Sequence, residues 1–390
     1  MKHLTACLAF AVSSSFLLAP ACEAQRRPPL SGPLEPSGND KPLATGWKAT
    51  EVVSGLVHPW AVVWLPDGSA LITERPGRVR LLNADGTLHP DRVGGVPEVL
   101  ALRQGGLMDI ALHPEFEENR FVYIAYSHGT ARENHTRIAR GRFEDHELKD
   151  LEILFTTEPA KSGGFHFGCR MVFLPDHSLL FAVGEGAQPD RSQDMGVHWG
   201  KMLRIMDDGS PATDNPFQAR IDAEQEIYSY GHRNPQGLAI HPENGKIYST
   251  EHGPRGGDEL NIIEPGKNYG WPKATYGYEY HGPRVSDHTS LPGMEDPILV
   301  WTPSIAVSGL AFYTGDRIPE WKGDLFAGGL ILQQVRRIIF DGDEIVGEET
   351  LQFDKRIRDV RSGPDGYLYV LTDERNGQLL RIEPAGDSSE

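Results

Sequence analysis

One short grammar recurs six times along this chain: an apolar run, a turn built on Pro, Asp or Gly, and a second apolar run. Trp60-Ala-Val-Val-Trp-Leu-Pro-Asp-Gly-Ser-Ala-Leu-Ile-Thr is the first copy, and Leu107-Met-Asp-Ile-Ala-Leu-His-Pro with Arg120-Phe-Val-Tyr-Ile-Ala-Tyr is the second. The others begin at Arg170, Gly237, Gly309 (the most degenerate) and Asp359. Pro presets φ in such a turn, and Asp or Gly accepts the tight bend, so each copy reads as a pair of short strands. Further strand-like runs follow, such as Gly77-Arg-Val-Arg-Leu-Leu and Gln378-Leu-Leu-Arg-Ile. Spacings of roughly 45 to 70 residues fit four-stranded blades with variable loops. Sustained helical periodicity is almost absent. A solenoid would also repeat, but hairpins with long insertions fit a closed ring better. The expectation is an all-β, six-bladed β-propeller with antiparallel blades around a central channel. Trp47-Lys-Ala-Thr-Glu-Val-Val is expected to supply the outer strand of the last blade and close the circle.

The ends lie outside that pattern. A short basic start, an apolar stretch from Leu4 to Leu18 and small residues around Ala21 and Ala24 read as a secretory signal over 1–24, too short for a membrane span. Residues 25–46, rich in Pro and Gly, read as a flexible leader, 47–384 as the propeller and 385–390 as a tail. A periplasmic or secreted location is expected; anchoring as a lipoprotein through Cys22 is the weaker alternative, because Ala-Pro-Ala before it is a poor acylation signal. Of the 3 cysteines, Cys7 and Cys22 lie in the signal region, leaving Cys169 without a disulfide framework. A formal charge of −17 with no basic block argues against a nucleic-acid partner.

In a propeller, ligands bind at one mouth of the channel, near the ends of the innermost strands. Four polar clusters fall there. Arg103-Gln-Gly-Gly precedes the second copy, with Gln104 in reach of a ligand or merely within a glycine turn. Gly163-Gly-Phe-His-Phe-Gly-Cys-Arg precedes the third, and a neutral His166 could serve as a base. Glu185 ends the next strand nineteen positions later, where a hairpin can bring it beside His166; a satisfied structural histidine also fits that spacing. Tyr230-Gly-His-Arg-Asn-Pro-Gln-Gly precedes the fourth copy and offers Arg233 and Asn234. Arg356-Ile-Arg-Asp precedes the sixth, with Arg356 and Arg358 on one strand face. Three guanidiniums at one mouth need an anion, and a polycarboxylate ligand would provide it. Last, Ser249-Thr-Glu-His-Gly-Pro-Arg-Gly-Gly-Asp-Glu-Leu-Asn-Ile, followed by Lys267-Asn-Tyr-Gly-Trp, combines carbonyls and carboxylates of the kind a hard cation takes. No nucleophile-elbow serine, His/Cys zinc set or phosphate loop accompanies them.

These motifs, in this order from about Trp47 to Pro384, resemble the soluble quinoprotein glucose/sorbosone dehydrogenases, and most closely the periplasmic aldose sugar dehydrogenases among them. The resemblance implies pyrroloquinoline quinone (PQQ), a planar tricarboxylate, together with Ca²⁺. It implies oxidation of the anomeric carbon of an aldose to an aldonolactone, with electrons passed to a soluble or membrane acceptor. By the same resemblance His166 is the general base, Glu185 orients it, and Arg233 stabilises charge on the quinone oxygen. Gln104, Asn234, Tyr280, the segment Gly329, Leu330 and Ile331, and Arg356, Ile357 and Arg358 would contact the cofactor. The carbonyls of Gly253 and Pro254 would hold the catalytic Ca²⁺, and Glu259 with Tyr269 a structural one. Where relatives carry a cofactor-binding lysine this chain has Ile331, and Arg336 and Arg337 occupy strand positions too distant to replace it. A monomer is expected. A Ca²⁺-dependent lactonase and a non-catalytic sugar-binding propeller are the competing readings.

Overall fold

The computed structural model describes Met1 and residues 34–386. The signal, its cleavage sites, Cys7, Cys22 and residues 387–390 lie outside these. Six four-stranded antiparallel sheets follow one another around a ring. Their first strands are Pro59–Trp64, Leu107–Leu112, Met171–Phe173, Pro235–Ile240, Val307–Phe312 and Ile357–Ser362. These start at or beside the six copies read from the sequence. Each first strand contacts the first strands of neighbouring blades, and together they line the channel. The sixth blade takes its outermost strand, Trp47–Leu56, from the other end of the chain, where it pairs with Gly377–Pro384 from Trp47↔Pro384 to Leu56↔Gly377.

The second strands show why the fold needs both neighbours. Leu179–Val183 and Leu368–Thr372 are buried along their whole length, as are Ala70–Glu74, Ile247–Glu251 and Leu325–Gly329. A strand covered on both faces reads as a continuous apolar run. The outer strands Trp47–Leu56 and Glu344–Gln352 alternate buried and exposed residues instead. The turns inside the copies are closed by Asx hydrogen bonds: Asp67 Oδ1 accepts from the Ser69 N–H at 3.0 Å, and Asp176 Oδ1 from the Ser178 N–H at 3.1 Å.

Residues 34–46, which the composition assigned to a flexible leader, are held in place. They run along the outer strands of blades four and five. Ser37 donates its N–H to the Val300 carbonyl at 2.7 Å, Ala44 to Thr350 at 2.9 Å, and Thr350 in turn to Pro42 at 2.8 Å. The buried carboxylate of Glu348 ties this strap down, accepting from Ser37 Oγ and from Trp301 Nε1 at 2.9 Å, with Lys41 at 3.5 Å. Exposed edge groups on the fourth strands demand partners, and a Pro/Gly-rich segment supplies them as well as any other.

Inside the channel four side chains form a closed square of alternating charge. Asp109 of blade two bonds Arg170 at 3.0 Å and Arg361 at 3.0 Å, while Asp359 of blade six bonds the same two arginines at 3.1 and 2.9 Å. Arg170 lies 4.2 Å from the ring centroid of Trp60 in blade one and donates to the Gln236 carbonyl of blade four at 3.2 Å. A Cβ on Gly309 of blade five would stand 2.3 Å from Asp359 Oδ1. All six blades therefore meet at this square.

Removing one member strands buried carboxylates, which costs about 3–5 kcal/mol. Arg170→Met is expected to lower the unfolding free energy by that amount in urea titrations; a loss below about 1 kcal/mol would contradict this account.

Candidate active site

Strand direction decides which mouth carries the chemistry. In every blade, the segment before the first strand and the loop between the second and third strands emerge on the same side. His166, Arg233, Gln104 and Arg356 belong to the first kind of segment. The 252–257 turn, the 330–333 turn, Arg75 and Asp373 belong to the second. Glu185 directly follows the second strand of blade three. One mouth thus gathers almost every residue singled out in the sequence.

The hairpin brings Glu185 beside His166. His166 Nδ1 lies 2.5 Å from Glu185 Oε2. A carboxylate can only accept, so the proton sits on Nδ1 and Nε2 is the free base. Glu185 is 1% exposed and also accepts from the Ala187 N–H at 2.6 Å. The His166 backbone has φ of 53°, a left-handed conformation costly for a non-glycine residue. Gln104 Oε1 holds it there by accepting the His166 N–H at 2.8 Å. Gln104 was expected to contact the cofactor; its oxygen is taken by the His166 N–H, and its amide NH₂ remains for a ligand. Gly184 is obligatory, because a Cβ would stand 2.6 Å from both the His166 carbonyl oxygen and Asn234 Oδ1. Burial is the main cause that pulls the His166 pKa below its ordinary value; Arg233 and Lys161 add to it and Glu185 opposes it. The imidazole is neutral and ready to accept a proton.

Beside this pair lies an array of donors. Arg233 Nη1 donates to the carbonyls of His252 and Gly253 at 3.0 and 2.9 Å, and its backbone N–H reaches Glu251. Arg233 Nε, Asn234 Nδ2 and His252 Nε2 are buried with no partner in the protein among the described residues. Burial, reinforced by Arg233, Arg358 and His166, pulls the His252 pKa down to about 3. Arg358 and Arg356 lie 2.8 and 3.9 Å from Asp373, whose Oδ1 is 2.9 Å from His58 Nδ1. Arg75 joins them electrostatically, acting on both Arg358 and Asp373. Orphaned buried donors around an excess of guanidiniums are what a planar anion with several carboxylates would satisfy, so the residues fit PQQ.

Other expected contacts fall differently. Ile357 is fully buried in the core with Phe326 and Val360 and does not face the mouth. Strand alternation puts the middle residue of Arg-Ile-Arg on the face opposite its neighbours. Leu330 is buried and offers its carbonyl to Arg356 at 3.3 Å, Gly329 ends the strand before it, and Ile331 is 60% exposed. Arg336 and Arg337 are committed elsewhere, to Glu348 and to Asp324 with Glu349. Tyr280 is 59% exposed on the loop whose Tyr278 pairs with Arg255.

The Gly-Pro turn is tight: a Cβ on Gly253 would stand 2.3 Å from the Gly257 carbonyl oxygen. The adjacent carboxylates diverge by strand alternation. Asp258 accepts from the N–H groups of Gly253 at 2.9 Å and Val307 at 3.2 Å, which fixes the turn and its carbonyls. Glu259 lies across from Glu251 and, among the described residues, accepts a side-chain hydrogen bond from the Asn261 amide at 3.2 Å. Burial and then Glu251 push its pKa well up, and a cation between the two carboxylates would relieve that repulsion and let both ionise. Tyr269 stacks on His232 and donates its hydroxyl to the Ile262 carbonyl at 2.6 Å. Any cation contact from Tyr269 must therefore use its main chain.

Two further groups bring ligand atoms together: His113, Glu115 and His177, and His198, Glu224 and Glu226. In both, the buried His accepts a backbone N–H at Nδ1, from Glu115 at 3.0 Å and from Glu158 at 2.8 Å. That keeps the proton on Nε2, the wrong tautomer for a metal there.

Sequence comparison agrees with this geometry. The profile of the family described as "Glucose / Sorbosone dehydrogenase" matches residues 56–381. The chain belongs to that family. Aldose sugar dehydrogenase YliI of Escherichia coli is 43% identical over 337 residues, covering 84% of this chain and 91% of the relative. The solved apo-form of the soluble aldose sugar dehydrogenase from Escherichia coli superposes with a TM-score of 0.84 at 41% identity, over 87% of this chain and 99% of that one. The PQQ-bound form of an aldose sugar dehydrogenase from Streptomyces coelicolor gives a TM-score of 0.71 at 29% identity, over 86% and 98%. As a member of the family, the chain is a sugar-oxidising enzyme.

Sequence reading missed Arg75, His252, Lys161 and Asp373. Arg75 and Asp373 each follow a second strand, the position already identified for Glu185, and that regularity could have found them.

A neutral buried His252 binds fewer protons in the native state than in the unfolded chain below about pH 6.5. Stability is therefore lost as pH falls from there toward about 3. His252→Gln should move the acid-unfolding midpoint, followed by circular dichroism, to lower pH; an unchanged midpoint would remove His252 from this role.

Proposed function

We propose that the protein is a PQQ- and Ca²⁺-dependent aldose dehydrogenase that oxidises the anomeric carbon to an aldonolactone. The observation that carries this reading is the neutral His166, held by Glu185 at 2.5 Å beside unpartnered Arg233, Asn234 and His252 donors. The PQQ-bound relative and the family's named activities support it. When bound, the quinone supplies the two-electron acceptor for hydride from the anomeric carbon, with Ca²⁺ as its Lewis acid.

The chain's own residues do the rest. His166 Nε2 takes the proton from the anomeric hydroxyl, and the Glu185 carboxylate stabilises the imidazolium through Nδ1. The hydroxyl's electrons then form the lactone C=O as the C–H bond breaks. Arg233 places a fixed positive charge where negative charge grows on the acceptor. Arg356, Arg358 and Arg75 would hold the carboxylates of the cofactor, and Gly253 and Pro254 would offer carbonyls to the cation. Two protein carbonyls are too few for Ca²⁺, so cofactor oxygens would complete its shell. Glu259 suits the second cation. The signal-like sequence at 1–24 supports export to the periplasm or beyond, where a soluble or membrane acceptor would take the electrons, and we take the working unit to be a monomer.

Purified protein supplied with PQQ and Ca²⁺ should reduce a dye with aldoses. Lactone hydrolysis without the quinone, and no dye reduction with any sugar, would overturn the reading. His166→Ala is expected to lower kcat by about 10²–10⁴-fold while quinone affinity, read by fluorescence titration, stays constant.

Ile331 removes a cation from the cofactor's surroundings. Ile331→Lys should tighten the quinone Kd by about tenfold, the worth of one charge-assisted bond. An equal or weaker Kd in the same titration would show that the position does not reach the cofactor.

A further inference from the structure

We propose that Lys161 is a positioning residue for the base: a buried ammonium, seated against both arms of the hairpin that carries His166 and Glu185, whose charge opposes protonation of the resting imidazole. The inference rests on His166 acting as the base in the reading above.

Lys161 lies in the connection from blade two to blade three. A reciprocal pair of bonds fixes its backbone: Asn134 donates its N–H to the Lys161 carbonyl at 2.8 Å, and Lys161 returns one to Asn134 at 2.9 Å. The residue is 2% exposed. Its stem crosses Gly186, the residue after Glu185, so closely that a Cβ there would stand 2.5 Å from Lys161 Cδ. That contact, with φ of +72° at Gly186, explains why a glycine must follow the carboxylate. At its other end, Nζ sits 3.5 Å from the ring centroid of Phe167, the residue after His166. It donates to the Gly163 carbonyl at 3.3 Å and lies 5.6 Å from the Trp199 ring. The side chain thus touches the segments flanking both members of the pair.

Its charge has few neighbours. Glu185 and Arg191 are the groups that act on it. Glu185, Arg233 and Lys161 act on His166. Two aromatic faces and one carbonyl solvate an ammonium poorly, and burial pulls the Lys161 pKa down to about 7. His166 titrates below its ordinary value, on the side of the Lys161 pKa where the ammonium is the major form, so the repulsion acts while the imidazole takes up its proton. Replacing Lys161 with a neutral side chain therefore makes His166 easier to protonate. A base must be unprotonated to work, so the acid limb of the rate profile moves to higher pH.

The decisive measurement is an NMR titration of His166 in purified, histidine-labelled protein, which needs neither cofactor nor turnover. Lys161→Met should raise the His166 pKa by about half a unit or more, and Lys161→Arg should leave it near wild type. The kcat/KM profile of enzyme reconstituted with PQQ and Ca²⁺ should shift its acid limb in the same direction. If Lys161→Met does not fold, Lys161→Gln, which keeps a donor for the Gly163 carbonyl, takes its place. An unmoved His166 titration in a folded neutral variant overturns the proposal, because a purely structural lysine would alter stability without shifting the imidazole. A shifted titration in a protein that oxidises no sugar would uphold Lys161 and reject the reaction instead.

Discussion

The square of Asp109, Arg170, Asp359 and Arg361 is the constraint on which the architecture turns. Six twisted sheets around an axis leave a central space that apolar side chains alone would fill without fixing which blades meet. Charges buried there must be paired, and each carboxylate here has two guanidiniums to satisfy. The pairing links blades two, three and six directly and reaches one, four and five through Trp60, the Gln236 carbonyl and Gly309. It also occupies the channel beneath the mouth that carries His166, so chemistry is confined to one end.

At that end the electrostatics are deliberately unbalanced. Arg356 and Arg358 share one carboxylate, Asp373, whose charge also acts on Arg75, and Arg233 commits its Nη1 to two carbonyls while its Nε stays without a partner among the described residues. Burial keeps His252 neutral, and the neighbouring Arg233 and Arg358 add to it. A site with such unspent positive potential favours a polyanion. The neutral base sits at the margin of that field, which favours proton removal from a hydroxyl that carries no charge of its own.

Much of this was legible in the sequence, for identifiable reasons. Turn chemistry is local, so Pro-Asp-Gly and its variants marked all six blades. A nineteen-residue hairpin brings its ends together almost regardless of sequence, so His166 and Glu185 were found as a pair. Ile357 misled because a motif is written as a string while a strand has two faces. The strap from residue 34 misled because composition describes a segment's freedom and says nothing about the edges waiting for it. Asp373 and Lys161 carry no motif at all; their importance arises from residues far away in sequence, and only the ring brings those together.

The ring's clasp joins the two ends of the chain, with Trp47–Leu56 paired to Gly377–Pro384. A polypeptide leaving the ribosome exposes the first of these strands long before the second exists. During that interval the charge square lacks Asp359 and Arg361, and the mouth lacks Arg356 and Arg358. A chain that stops short of the sixth blade is therefore an unfinished circle rather than a weakened enzyme.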